Sequence, residues 1–114
     1  MDLLIFGIGR ADVMAKARNF STERIEELLH AGACSEAFGY YFDREGTMVY
    51  PSSSVGITLE QFQQVPHVIA VAGGADKADA IRSATKVRQD LILITDESAA
   101  KNIKKRYEEE LQWQ

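Results

Sequence analysis

The residues best placed to do chemistry lie in one short run, Val71-Ala72-Gly73-Gly74-Ala75-Asp76-Lys77. Two glycines after an apolar stretch let another group come close to the backbone. Where a helix opens behind them, its first N–H groups have no partner within it and its dipole favours an anion. Lys77 would sit in that first turn, where a cation does little for the helix but neutralises a phosphate well. Asp76 suits the helix end, yet it repels an anion if its carboxylate faces the same way. A plain strand-to-helix turn with a solvated lysine accounts for the same residues, because glycine-rich turns are common.

A second such turn is Gly7-Ile8-Gly9-Arg10. It has only two of the glycines of a dinucleotide fingerprint, and the chain has no Gly-Lys-Ser/Thr phosphate loop. A tight turn explains it as well as a ligand contact does, and Arg10 reads as a solvated arginine or an anion partner. Glu36 precedes an apolar, aromatic stretch; its carboxylate could accept sugar hydroxyls or pair with a surface cation. Cys34 reads as a small buried residue rather than a reactive thiol, since no base stands beside it. His30 and His67 are isolated and share no metal-ligand spacing with Cys34. Ser52-Ser53-Ser54 lacks the flanking glycines of a nucleophile elbow. No metal or cofactor is expected.

Elements must position these residues. Leu3 to Phe6, Val68 to Ala72 and Leu91 to Ile94 are short apolar runs closed by glycines or turn residues, the pattern of strands buried on both faces of a parallel sheet. Asp12 to Asn19 permits a helix but has no clear apolar stripe. Ser21 can cap a helix through Ile25, Leu28 and Leu29 to a stop at Gly32, with Phe20 and Ile25 as a staple. Ala37 to Phe42, Asp43-Arg44-Glu45-Gly46 and Thr47 to Tyr50 suggest strand, turn and returning strand. Pro51 with Ser52 to Ser54 reads as a loop, and Thr58 as the cap of a short helix through Leu59 and Phe62. A further helix is expected from about Asp76 to Val87. A last one, capped by Asp96, should place Ala99, Ile103, Tyr107 and Leu111 on one face. Strand-helix-strand-helix order implies right-handed crossovers, so the fold class is α/β: a parallel, Rossmann-like layer with flanking helices.

Bulk properties narrow the function. The chain has 114 residues, room for one domain, with 46% hydrophobic and 26% charged residues, as in ordinary globular proteins. The formal net charge of −4 argues against a surface built to bind nucleic acid. Lys101, Lys104, Lys105 and Arg106 are followed at once by Glu108-Glu109-Glu110, which reads as a solvated helix face. No apolar run is long enough to cross a bilayer or serve as a signal peptide, and no membrane association is expected. One cysteine cannot form an internal disulfide, which fits a reducing cytoplasm.

Four blocks then carry a resemblance. They are Gly7-Ile8-Gly9 after a strand; Gly32-Ala33 through Glu36 to Phe42-Asp43; Val71 to Gly74 with Lys77, Ala80 and Ile81; and Leu93 through Thr95-Asp96 to Ala99-Ala100. Together they span most of the chain, and it resembles the C-terminal part of the sugar-binding (effector) domain of SorC-family transcription regulators. The resemblance implies a fold similar to sugar-phosphate isomerases and deaminases, without their catalysis. It implies that Glu36 binds sugar hydroxyls, and that Lys77 with the turn before it binds a phosphate. The family often has Gly-Asp where this chain has Ser35-Glu36, and Arg where it has Tyr40, so the acid is kept but lengthened. The stretch from Glu36 to Phe42 points within the family to regulators of glycolytic genes and, as effector, to fructose 1,6-bisphosphate. Family members also carry a DNA-binding helix-turn-helix and a first half of the sensor domain. On this resemblance, operator DNA is met only through that other domain, and the regulator works as a homo-oligomer. Two alternatives stand beside it: an isomerase- or deaminase-like enzyme with Glu36 as base, and a half-domain that only associates with itself.

Overall fold

A computed structural model of the chain describes residues 1–50 and 56–112. Its first layer is a parallel sheet of β1 (Leu3–Gly7), β6 (His67–Val71) and β7 (Ile92–Ile94), in the order β1-β6-β7. A second, antiparallel sheet runs β2 (Gly9–Arg10), β3 (Ser35–Ala37), β4 (Tyr40–Phe42) and β5 (Met48–Tyr50). Helices α1 (Ala11–Ala17), α2 (Thr22–His30), α3 (Leu59–Gln64), α4 (Ala78–Val87) and α5 (Glu97–Gln112) complete the fold. The expected parallel layer with helices is present, and the antiparallel sheet is an excursion inserted between its first two strands. The serine loop expected at 51 to 54 lies outside the described residues.

Local chemistry accounts for most helix ends. Ser21 Oγ accepts the Arg24 N–H and opens α2. Thr58 and Gln61 form a reciprocal capping box that opens α3. Asp96 Oδ1 accepts the Ala99 N–H at 2.9 Å and opens α5. The α1 region lacked an apolar stripe because the residues it buries are Ala11 and Ala15. Between β3 and β4 the chain turns through Phe38 and Gly39, both at positive φ, +41° and +91°. Phe38 is held in that costly conformation by ring contacts with Phe6, Phe62 and Tyr40.

The expectation of strands covered on both faces fails. Strand partners in register share a face, so Ile5, Ile69 and Ile92 form one row, with Leu3, Val71 and Ile94 around it. Ile5 is 62% exposed and Ile92 60%, and Leu3, Val71 and Ile94 are exposed as well. The opposite face carries Leu4, Phe6, Val68, Ala70 and Leu93, packed against side chains of α3, α4 and α5. All three of those helices therefore cover one side. The apolar runs are strands, as their pattern implies, and the second layer that would hide their other face is absent from the described residues. A smaller core joins α1 and α2 to the antiparallel sheet through Ala11, Ala15, Leu28 and Tyr41. Buried Ser35 and Ser83 tie β3 to α4, their hydroxyls 2.8 Å apart, and Ser83 also donates to the Asp43 carbonyl.

Candidate functional site

The Gly73–Lys77 run leaves the carboxyl end of β6, the edge at which open α/β sheets take ligands. A 3-10 turn, Ala75–Lys77, comes first, and α4 starts only at Ala78, with Lys77 as its N-cap. The helix expected from Asp76 thus begins two residues later. The Ala75 and Asp76 N–H groups precede the first bond of the turn, Lys77 N–H to Gly74 O at 3.1 Å. Lys77 is half-buried rather than exposed, and no ion pair to it occurs among the described residues.

The glycines have reasons internal to the chain. A Cβ on Gly73 would stand 2.7 Å from Asp96 Oδ2, and that same oxygen accepts the Gly74 N–H at 2.8 Å. The group that approaches this backbone is a carboxylate of the chain itself, and it occupies one donor of the candidate cradle. Gly74 has φ +108°, which disfavours any other residue. A Cβ on Gly9 would fall 2.5 Å from Met14 Cγ, so Gly9 makes room for the α1 side chain. Gly7 meets only the Val71 carbonyl, at 3.9 Å.

Asp76 does not stand alone beside Lys77; it shares one guanidinium with Asp12. Arg10 donates to Asp76 Oδ2 at 3.1 Å and to both Asp12 oxygens. Its hydrogen bonds hold the Asp12 carboxyl below its ordinary range and raise the Arg10 guanidinium above its own. Arg10 is therefore neither a solvated arginine nor a free anion partner: it links the Gly7–Arg10 turn to the Gly73–Lys77 turn. Sequence reading missed this pair because its members lie 66 positions apart.

Glu36 is 3% exposed, in β3 opposite Gly9. Its Oε1 accepts from Arg18 at 2.8 Å and from the Gly39 N–H at 2.7 Å. Those bonds fix the Phe38-Gly39 turn and engage one of the two carboxylate oxygens. Cys34 is half-buried, and burial pushes its thiol up, away from the reactive form. Among the described residues no cluster of three or more potential metal ligands occurs, and no helix is long and apolar enough to cross a membrane.

Comparison with known proteins agrees with this architecture. Residues 1–104 match the family model of a sugar-binding domain. The central glycolytic genes regulator of Bacillus subtilis is 43% identical over 101 residues, covering 89% of this chain and 30% of the relative. Transcriptional regulator LsrR of Enterobacter sp. is 33% identical over 112 residues, covering 90% of this chain and 34% of the relative. The crystal structure of a SorC family transcriptional regulator from Enterococcus faecalis superposes with a TM-score of 0.83 at 42% identity, covering 90% of this chain and 42% of that one. The full-length sorbitol operon regulator SorC of Klebsiella pneumoniae shares the fold, with a TM-score of 0.74 at 21% identity. The chain thus spans about a third of the length of these two sequence relatives.

Proposed function

Because the chain belongs to the sugar-binding domain family of SorC-type transcription regulators, we propose that it is the effector-sensing module of a bacterial repressor that binds a phosphorylated sugar. Fructose 1,6-bisphosphate is the first candidate, in view of the likeness to the glycolytic genes regulator. The observation that carries the reading is Lys77: a cation without an ion pair among the described residues, at the opening of α4, beside a turn whose own acid is partnered by Arg10. Gly73, Gly74, Ala75 and Asp76 supply the backbone of that cradle, with donors left at Ala75 and Asp76. Gly7 lines the neighbouring strand end. Glu36 would take a hydroxyl through Oε2, since Arg18 and Gly39 both bond Oε1, and Gly9 serves mainly to admit Met14.

In this reading the chain is the C-terminal portion of a larger sensor domain. The uncovered face of the parallel sheet is where the rest of that domain packs, and DNA is reached through a separate domain. Ligand occupancy would then control operator binding and the assembly of a homo-oligomer. Neither hydrogen-bond partner of Glu36, the Arg18 guanidinium or the Gly39 N–H, is a second acid–base group, which favours sensing over an isomerase-like reaction.

Lys77→Ala tests the site. Loss of one charge-assisted contact should weaken fructose 1,6-bisphosphate binding by about 1.5–3 kcal/mol, roughly ten- to a hundredfold. Calorimetric titration reads the affinity and thermal unfolding the fold. Unchanged affinity, or unfolding with affinity intact, would remove Lys77 from the site.

A further inference from the structure

Asp96 does two things at once. Oδ1 caps α5 through the Ala99 N–H, and Oδ2 holds the Gly74 N–H, 22 positions away in sequence. Farther along α5, Asn102 Nδ2 donates to the Ala75 carbonyl at 2.7 Å. Arg10 takes Asp76 from the opposite side. Three consecutive residues of the turn, Gly74, Ala75 and Asp76, are each fixed by a side chain from outside it. Two of those side chains belong to the cap and first two turns of one helix. Backbone of glycine-rich turns is otherwise costly to order, and a ligand that had to order it would bind more weakly.

We propose that Asp96 and Asn102 are positioning residues: α5 clamps the Gly74–Ala75 backbone so that the Ala75 and Asp76 N–H groups and Lys77 are set for a phosphate before it arrives. The role rests on the sensing reading above. It also makes α5 the element that feels the turn move, since displacement of Gly74 must either break the Asp96 bond or carry the start of the helix with it. Gly73 is then required by the carboxylate beneath it rather than by the ligand above it.

The test uses Asp96→Ser and Asn102→Ala in the intact protein. Serine still caps α5 but is too short to reach Gly74, and alanine favours the helix at 102, so both variants should fold. Amide hydrogen exchange at Gly74 and Ala75 reads the clamp without any ligand; calorimetric titration with fructose 1,6-bisphosphate reads its consequence. The expected result is faster exchange confined to the 73–77 turn, a wild-type thermal midpoint, and affinity about tenfold weaker in Asp96→Ser. Exchange at Gly74 unchanged in Asp96→Ser, or affinity unchanged while the turn loosens, overturns the positioning role. Affinity that falls only in step with the thermal midpoint overturns it too, because that is loss of fold. A wild-type protein that binds none of the sugar phosphates offered defeats the sensing reading itself, and is told apart by its normal Gly74 protection.

Discussion

Arg10 stands between Asp12 and Asp76 and decides what charge the Gly73–Lys77 turn presents. With Arg10 in place the exposed Asp76 carboxylate has a cation beside it; without Arg10 its charge stands unopposed next to Lys77. Arg10→Ala should therefore weaken phosphate binding several-fold although the arginine need not touch the ligand, and Arg10→Ala with Asp76→Asn should recover most of the loss. Titration of the two variants checks this, and a double variant as weak as the single one would place Arg10 in direct contact instead. The residue scale is also where sequence reading was least complete. Glycines at 9 and 73 signal a close neighbour, and the signal was sound, but the neighbours are Met14 and Asp96. A sequence shows that space is needed without showing who takes it. Asp96 was legible as a helix cap and silent about its second bond, which spans two elements.

Single elements read well because their determinants are local. Caps at Ser21, Thr58 and Asp96 fall where short polar side chains precede apolar periodicity. Breaking one should have a local cost: Thr58→Ala, which removes half of a capping box, is expected to destabilise the chain by about 1 kcal/mol in urea unfolding. No change there would mean that α3 is held by Phe62 packing alone. The α1 helix is only permitted by its sequence, because alanines at 11 and 15 leave no stripe to count, and the β3–β4 hairpin is not visible there because Phe38 is an unusual residue for a left-handed turn. Its conformation is enforced by aromatic neighbours that are remote in sequence.

At the scale of the molecule, an α/β architecture was legible in element order, and its one-sidedness was not. Apolar strands announce that two layers are needed, not that both are supplied. A row of isoleucines at positions 5, 69 and 92 facing outward is a patch that monomers rarely leave in water. The 114-residue chain by itself should associate with a concentration dependence visible in sedimentation velocity. Ile5→Asp combined with Ile92→Asp should abolish that association without loss of helical circular dichroism. A wild-type chain that sediments as a monomer at all concentrations would show that the face needs no partner.

The antiparallel sheet and helix α4, meanwhile, are joined by a hydroxyl pair with a sense of direction. A serine has one proton to give; Ser83 gives its own to the Asp43 carbonyl, so Ser35 must be the donor to Ser83. The order Ser35 to Ser83 to Asp43 cannot run backwards, because a peptide oxygen has nothing to return. That seam is a one-way rivet rather than a relay, and strand β3 and helix α4 are built to move as a single piece.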